Sequence, residues 1–227
     1  MKIILYQTDQ SPPARAVKMV IYILGLDVEQ RELHPVLREQ DTPEMKKKNP
    51  MRTIPFIDEG DFRLSDSHAI VIYLVEKYGK NEHRHLYPKD VRKRANVNQR
   101  LFLDCGILFR QLQFIMGPVY QGQMSDIPNN IIRGIKTAYW MLEAYLNDTK
   151  FLADDVITLA DICAVATVSS LDGLYPVDGE RLPKTRRWLD TMQAQEFCKV
   201  KNEPGATQHV AYLKLCMEHN RHTQSKL

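Results

Sequence analysis

The chain has 227 residues, 44% of them hydrophobic and 26% charged, a balance typical of a globular protein with a buried core. Its formal net charge of +3 is too small to indicate nucleic acid or an anionic membrane as a partner. Apolar runs are too short to span a bilayer, and the N-terminal segment turns polar too early for a secretory signal. Four widely spaced cysteines without a CxxC pair predict free thiols in a cytoplasmic protein.

Two periodicities alternate along the N-terminal part of the chain. Short β-rich runs predict strands at 2–6, 28–33, 53–57 and 62–64, and helical spacing predicts helices at 13–24, 43–48 and 67–78. The order β-α-β-α-β-β-α, with a right-handed crossover, predicts a small mixed sheet flanked by helices, which is a thioredoxin-like arrangement. We assign residues 1–79 to this α/β domain and the polar stretch 80–88 to a linker.

Residues 89–227 show only helical periodicity and predict an all-helical bundle domain. Helices are expected at 90–120, 129–146, 159–174, 183–193 and 209–219. Thr158 and Asp161 fit a capping box at the start of the third of these helices, in which each side chain bonds the backbone N–H of the other. Small residues such as Ala160 and Ala164 make this helix narrow, so we expect it at the centre of the bundle.

Ser11 stands before two prolines, at the junction of the first strand and the first helix. Serine is a good helix N-cap, and proline is tolerated in the first turn. Because Pro12 and Pro13 lack backbone N–H groups, the Ser11 hydroxyl has fewer local partners and is freer to turn toward a ligand. The helix N-terminus behind it favours a thiolate over a thiol. Standing alone, the motif is better explained as a plain helix cap.

Two further segments have features of a peptide-binding site. Pro55 cannot donate to a sheet ladder, and if the Ile54–Pro55 bond is cis, the Ile54 backbone turns outward and can pair with an extended peptide. Asp66 and Ser67 open the third helix, where a carboxylate, a hydroxyl and free backbone N–H groups can hold an ammonium and a carboxylate. An amino-acid head group such as γ-glutamate presents both, although a second capping pair is the alternative explanation.

Three segments together resemble the glutathione site of insect glutathione transferases, with the epsilon and delta classes nearest. They are Ser11-Pro12-Pro13-Ala14-Arg15, Asn49-Pro50-Met51-Arg52-Thr53-Ile54-Pro55 and Asp66-Ser67-His68-Ala69-Ile70. A fourth segment, Leu159-Ala160-Asp161, resembles the helix-capping motif of the same family's C-terminal domain. The order and spacing of all four segments match the family over nearly the whole chain.

The resemblance implies a glutathione S-transferase that conjugates the glutathione thiolate to small apolar electrophiles, in detoxification or in peroxide reduction. It implies that Ser11 donates its hydroxyl hydrogen to the glutathione sulfur. The residues expected to hold the tripeptide are Gln40, Arg52, Thr53, Ile54, Pro55, Asp66, Ser67 and His68. A homodimer with each site near the subunit interface is also implied, and no metal, nucleic acid or membrane partner is expected.

Two positions depart from the family's pattern where the glycine end of glutathione is expected. Met51-Arg52 stands where the family commonly has Gln-His, and Gln40 aligns where it often has histidine. Arg52 can offer the glycine carboxylate a charge-assisted hydrogen bond. The departures leave room for a non-catalytic protein that binds glutathione or apolar ligands. An isomerase that uses glutathione as a cofactor is a third hypothesis.

The electrophile is expected between the two domains, against one face of the long helix. Its predicted wall consists of Leu108, Phe109, Leu112, Met116, Val119 and Tyr120, with Pro13 and Tyr212 opposite. A stripe at this spacing is just as typical of a helix face buried in a core. The histidines of 83–85, His219 and His222 lack cysteine or carboxylate partners at fixed spacing and are assigned to the surface, not to a metal. Cys105 is expected to lie far from the nucleophile.

Overall fold

The computed structural model describes residues 2–224. A four-stranded sheet in the order β2-β1-β3-β4 consists of Ile3–Gln7 (β1), Val28–Glu32 (β2), Phe56–Glu59 (β3) and Phe62–Ser65 (β4). β1 runs parallel to β2 and antiparallel to β3, and β3 and β4 form an antiparallel hairpin. With Pro12–Leu24 (α1), Pro43–Lys48 (α2) and Ser67–Tyr78 (α3), the order is β-α-β-α-β-β-α. The predicted thioredoxin-like arrangement is confirmed.

Local sequence signals explain both ends of α1. Ser11 is its N-cap and Pro12 its first residue, as the sequence predicts. Gly25 ends the helix with φ 64°, a left-handed conformation that glycine adopts without steric cost, and its N–H bonds the Ile21 carbonyl. β3 begins at Phe56 and not at the predicted residue 53, because Pro55 has no N–H to place in the ladder.

The rest of the fold is helical, as predicted. Its helices are Val91–Leu103 (α4), Phe109–Tyr120 (α5), Asn129–Tyr145 (α6), Leu159–Leu174 (α7), Pro183–Gln193 (α8), Glu196–Lys201 (α9) and Glu203–Gln224 (α10). The single helix predicted over 90–120 is interrupted by a π-helical turn at Asp104–Leu108. The sequence does not predict α9, and the helix predicted over 209–219 is only the middle of α10. Pro204 and Gly205 are poor helix formers and obscure the true start of α10.

α7 lies at the centre of the bundle, and every residue from 159 to 168 is buried. It packs against α1, α4, α8 and α10. Asp161 in its first turn is fully buried and accepts hydrogen bonds from the Thr158 N–H at 2.9 Å, the Leu152 N–H at 2.8 Å and the Trp188 Nε1–H at 3.0 Å. The predicted capping box includes a hydrogen bond from the Thr158 N–H to the Asp161 carboxylate, and the structure confirms this bond.

One apolar core continues from the sheet into the bundle. It contains Leu5 of β1, Val17 of α1, Val165 of α7 and Leu213 of α10. The two parts of the fold are therefore packed together, and the loop between β1 and α1 has a fixed position against α7 and α10. Within residues 2–224, each helix is too short or too polar to cross a bilayer.

Candidate active site

A cavity of about 700 Å³ lies between the sheet side and the helical bundle. All the residues predicted to bind glutathione line it: Ser11, Gln40, Arg52, Thr53, Ile54, Pro55, Asp66, Ser67 and His68. They come from four places on the sheet side, namely the N-terminus of α1, the loop before α2, the loop before β3 and the N-terminus of α3. The structure thus brings together residues that are up to 57 positions apart in sequence, here Ser11 and His68.

Ser11 is half-buried at the cavity surface, where α1 begins. Its Oγ accepts a hydrogen bond from the Ala14 N–H at a long 3.4 Å. The hydroxyl hydrogen has no acceptor within the described part of the chain. Ser11 is therefore a helix cap that still has a donor to offer, and the first-turn amides of α1 add partial positive charge beside it.

The N-terminus of α3 places the carboxylate of Asp66 and the hydroxyl of Ser67 at the cavity. Asp66 has φ 75°, a strained conformation for a non-glycine residue, and such strain is concentrated at functional sites. Its Oδ1 accepts from the N–H groups of His68 at 2.9 Å and Ala69 at 3.1 Å. The His68 side chain, and to a smaller extent these amides, lower the pKa of Asp66 below its ordinary value, so its carboxylate is charged.

Asp104 is a site residue that the sequence analysis misses. It lies in the π-helical turn, is 3% exposed, and lines the cavity. Its Oδ2 is 2.9 Å from Nε2 of His68, and its Oδ1 is buried without a hydrogen-bond partner within the described part of the chain. Burial opposes the charged form of His68, but Asp104 and Asp66 outweigh it and raise the pKa of His68 to about 9. The sequence does carry one signal for Asp104, because it is a charged residue that directly follows the apolar residues 101–103 of a helix.

The loop before β3 is held by a buried asparagine. Asn49 donates to the Thr53 carbonyl at 2.7 Å and accepts from the Met51 N–H at 3.1 Å. The Ile54–Pro55 peptide bond is cis. Arg52, with φ 54°, extends an exposed guanidinium whose Nη1 lies 3.5 Å from Oδ1 of Asp41. This contact places Arg52 close to the neighbour of Asp41 in the chain, Gln40.

Gln40 also has an unsatisfied polar atom. Its Oε1 is buried and has no hydrogen-bond partner in the part of the chain that the structure describes. Buried polar atoms without a partner are rare in folded proteins and require an explanation, such as a ligand or a water molecule. Gln40 and Arg52 both line the cavity at this end, where the Arg52 guanidinium is exposed.

The opposite wall of the cavity corrects part of the predicted electrophile site. Pro13, Phe109, Met116, Tyr120 and Tyr212 line the cavity, and the rings of Tyr120 and Tyr212 have centroids 5.8 Å apart. The prediction is wrong for three residues, which are buried in the core and lie outside the cavity wall: Leu108, Leu112 and Val119. With about 3.6 residues per turn, these three share one face of the helix, and the wall residues form the neighbouring face.

Cys105 lines the same cavity as Ser11. The π-helical turn exposes this side chain toward the cavity, and its Sγ donates to the Phe102 carbonyl at 3.5 Å. Partial burial and the nearby Asp104 carboxylate raise the pKa of the Cys105 thiol. Cys105 is thus kept as a neutral thiol, which is a poor nucleophile.

Arg15 is fully buried behind the site. Its guanidinium donates to the Gln10 carbonyl at 2.9 Å, to the Ala166 carbonyl at 2.8 Å and to Oδ1 of Asn202 at 2.8 Å. Burial lowers the pKa of Arg15 to about 9, which still leaves it charged at neutral pH. Arg15 therefore ties the loop that carries Ser11 to α7 and to the residue between α9 and α10.

The arrangement suits one kind of ligand at each end of the cavity. At α3 the cavity is lined by the charged side chains of Asp66 and His68, and at α5 and α10 it is lined by Phe109, Met116 and Tyr212. Between them lies the Ser11 hydroxyl. Within residues 2–224, no group of three His, Cys, Asp or Glu side chains is placed to hold a metal ion. The fold and the site define a class of protein with a thioredoxin-like part, a helical part and a cavity between them that has one charged and one apolar side.

Comparison with known proteins shows the family. Residues 5–82 match the family model of the glutathione S-transferase N-terminal domain, and residues 130–196 match that of the C-terminal domain. Glutathione S-transferase 1 of Manduca sexta is 40% identical over 208 residues, which cover 90% of this chain and 94% of the relative. The chain belongs to the glutathione S-transferase family, and the resemblance stated from its motifs is confirmed.

Solved structures give the same result. An epsilon-class glutathione S-transferase from the housefly, Musca domestica, superposes with a TM-score of 0.91 at 38% identity, covering 95% of this chain and 98% of that one. A glutathione transferase homolog from Drosophila mojavensis with bound glutathione has a TM-score of 0.87 at 37% identity, covering 94% and 96%. These similarities confirm the predicted fold class over nearly the entire chain.

Proposed function

We propose that the chain is a serine-type glutathione transferase in which the Ser11 hydroxyl donates a hydrogen bond to the glutathione sulfur and stabilises its thiolate. The observation that carries the proposal is the unused hydroxyl hydrogen of Ser11 at the cavity surface, beside the N-terminus of α1. Lowering a thiol pKa from about 8.5 by about two units requires about 2.7 kcal/mol of preferential thiolate stabilisation. One hydrogen bond to a charged group and a helix N-terminus supply an amount of that order.

The tripeptide is proposed to lie along the sheet side of the cavity. Asp66 and Ser67 hold the γ-glutamyl end, beside the ion pair of His68 and Asp104. The backbone of Ile54 pairs with the cysteinyl residue. Thr53, Pro55 and His68 complete the wall around these two residues. This orientation directs the sulfur toward Ser11.

The glycine carboxylate is proposed to meet the two residues that depart from the family's pattern. The Gln40 amide donates to this carboxylate, and the Arg52 guanidinium adds a charge-assisted hydrogen bond. The exposed position of Arg52 and its long contact with Asp41 leave the guanidinium able to move to a carboxylate of a ligand. These two residues therefore supply the donors that the family's usual residues supply elsewhere.

The second substrate is proposed to be a small apolar electrophile, as in detoxification of foreign compounds. It packs against Pro13, Phe109, Met116, Tyr120 and Tyr212, within reach of the thiolate. Holding the two reactants together removes much of the entropic barrier to their reaction. The thiolate then forms a bond to the electrophilic carbon, and a leaving group departs with the displaced electron pair.

A cytoplasmic homodimer is part of the proposal. Three large apolar side chains on β4 and α4 are exposed in the single chain: Phe62 at 40%, Val91 at 80% and Phe102 at 72%. Exposed apolar groups of this size are available to a surface that a partner covers. Analytical ultracentrifugation of the purified protein measures the association directly, and a single-chain mass at micromolar concentration would contradict it.

The test of the proposed function compares Ser11→Ala with the wild-type chain, using glutathione and a chlorodinitrobenzene-type electrophile. We expect kcat/KM to fall about 100-fold or more, because the thiolate loses its donor. Calorimetry is expected to show glutathione binding retained within a few-fold. Ser125→Ala, in the loop between α5 and α6, is the matched control and keeps full activity. A wild-type chain without turnover, or a Ser11→Ala variant with full turnover, would refute the proposal.

A further inference from the structure

A second, smaller apolar cluster lies on the face of the sheet opposite to the main core. Residues alternate between the two faces of a strand, so Leu5 of β1 enters the main core and its neighbour Tyr6 enters the second cluster. The ring of Phe56 from β3 stacks on the Tyr6 ring, with centroids 4.3 Å apart and an interplanar angle of 5°. Met45 of α2 packs against the same cluster. The second cluster therefore lies between the sheet and α2.

Tyr6 is 2% exposed, but its phenol oxygen has two cationic partners. Lys48, the last residue of α2, donates to this oxygen from Nζ at 2.9 Å, and Arg31 of β2 donates to it from Nη1 at 3.1 Å. The Lys48 ammonium also lies 5.2 Å from the centroid of the Tyr6 ring, which is within the range of a cation–π contact. Hydrogen bonds with a charged donor are stronger than those between neutral groups. Tyr6 thus connects β1 to both β2 and α2.

The helix α2 has few other contacts that hold it on the sheet. It has six residues, and none of them is buried. A helix this short is marginal by itself and depends on contacts with the rest of the fold. Among the described residues, the bond from Lys48 to Tyr6 is the one hydrogen bond that joins an α2 side chain to a strand. This bond therefore fixes the C-terminal end of α2 to β1.

The position of α2 determines where the two donors at the glycine end of the cavity lie. Gln40 precedes the first residue of α2 by three positions, and Arg52 follows its last residue by four. The two flanking segments also meet, because Nη1 of Arg52 lies 3.5 Å from Oδ1 of Asp41. Both Gln40 and Arg52 line the cavity. A displacement of α2 on the sheet therefore moves both residues relative to a ligand.

We propose that Tyr6 and Lys48 are positioning residues for glutathione, because their hydrogen bond holds α2 in the position that the ligand requires. Gln40 and Arg52 are then placed to meet the glycine carboxylate. The inference rests on the proposed function and deepens it at the glycine end of the same site. Tyr6 and Lys48 both lie outside the cavity wall, so they act on the ligand only through these two donors. Without the bond, the competent position of α2 is populated for a smaller fraction of the time, and the affinity falls by that fraction.

The experiment measures the ratio of two dissociation constants by calorimetry on the full chain. The ratio is Kd for γ-glutamylcysteine divided by Kd for glutathione, and it reports the glycine end alone because the two peptides differ only in the glycine residue. We expect Tyr6→Phe and Lys48→Met each to lower this ratio about fivefold, since each removes a charge-assisted hydrogen bond. Tyr6→Phe keeps the ring in the second cluster. With saturating glutathione, kcat of both variants should stay within about twofold of wild type, because Ser11 is unaffected.

Lys47→Met is the matched control. It removes the same charge one position earlier, from an exposed side chain without a partner among the described residues. It should leave the ratio unchanged, which separates the loss of the bond to Tyr6 from a general loss of positive charge on α2. Lys48→Arg keeps a cationic donor near Tyr6 and should retain most of the ratio. A thermal melt of each variant shows whether it is folded, and Lys48→Met provides the result if Tyr6→Phe is not.

A double variant shows whether Lys48 acts through Arg52. The ratio should fall less in Lys48→Met/Arg52→Gln than the product of the two single losses, because both changes remove the same contact with the carboxylate. Fully multiplicative losses, equal losses of affinity for both peptides, or an unchanged ratio in Tyr6→Phe and Lys48→Met would overturn the proposal. Ser11→Ala separates the two hypotheses, because it should lower turnover and leave the ratio unchanged. If Ser11→Ala keeps full turnover, the proposed function fails whatever the ratio shows.

Discussion

His68 and Asp104 form an ion pair in the wall of the cavity, with Nε2 of His68 2.9 Å from Oδ2 of Asp104. Their side chains are only 15% and 5% exposed. The pair joins the first turn of α3 to the π-helical turn between α4 and α5. It therefore couples the corner that is proposed to bind γ-glutamate to the helical bundle.

The ion pair predicts a specific pH dependence of stability. The pKa of His68 is about 9 in the folded chain and about 6.5 when unfolded, so its stabilisation is complete below pH ~6.5 and is lost as pH rises through 9. Between pH 7 and 10, the free energy of unfolding of wild type should fall by up to about 3 kcal/mol more than that of His68→Gln. Denaturant unfolding at a series of pH values measures this. His219→Gln, on the exposed side of α10, should follow wild type, and parallel curves for wild type and His68→Gln would contradict the assignment.

The buried acceptors around Arg15 predict that the stability of the fold requires a guanidinium at this position. Lysine keeps the charge, but its single ammonium cannot reach the Gln10 carbonyl, the Ala166 carbonyl and Asn202 together. We expect Arg15→Lys to lower the free energy of unfolding by about 3 kcal/mol, since buried acceptors lose their donors. It should also lower kcat/KM, because the Ser11 loop loses its anchor. Arg133→Lys, an exposed position on α6, is the control, and equal stability of the two variants would show that Arg15 is not needed in this way.

The three hydrogen bonds that Asp161 accepts predict that asparagine, which has the same shape, destabilises the fold at this position. Its two oxygens accept from the N–H groups of Leu152 and Thr158 and from the Trp188 indole, so an amide nitrogen would face a donor. We expect Asp161→Asn to destabilise the fold by about 3 kcal/mol in denaturant unfolding. Asp148→Asn, at an exposed position, should be within about 0.5 kcal/mol of wild type. A similarly small effect at Asp161 would mean that the capping box is dispensable.

The proposed contacts of Gln40 and Arg52 with the glycine carboxylate predict that changes at these residues weaken the binding of glutathione but not that of γ-glutamylcysteine. Gln40→Ala and Arg52→Gln should each weaken glutathione binding about tenfold, because the glycine carboxylate loses a donor. Neither change should affect the affinity for γ-glutamylcysteine, which lacks the glycine residue. Isothermal calorimetry with both peptides makes the comparison. Equal losses for both ligands would show that these residues act on the fold of the loops and not on the carboxylate.

Local sequence signals were sufficient for the elements that position the glutathione side. Ser11 with its two prolines, Gly25 at the end of α1, and Asp66 before α3 are each recognised from the residue types at one helix end. Their order along the chain also predicts the sheet topology, because a right-handed crossover leaves few alternatives. The family resemblance then connects segments that no single motif would relate.

Other parts of the site depend on contacts that sequence spacing does not contain. Asp104 lies in a π-helical turn, which the sequence does not predict, and its contact with His68 joins elements 36 residues apart. Arg15 is one polar residue in the first turn of an amphipathic helix, where an exposed position would be expected. Its burial results from Asn202, far along the chain. Long-range packing of this kind appears only once the fold is assembled.

The ionisation of bound glutathione is the measurement that tests the central claim most directly. Titration of the thiolate absorbance in the ultraviolet, with saturating glutathione on wild type and on Ser11→Ala, gives the thiol pKa in each site. With the serine hydroxyl present, the pKa should lie about two units below the ordinary value near 8.5, and in Ser11→Ala it should return most of the way toward that value. The same depressed pKa in both proteins would contradict the role assigned to Ser11.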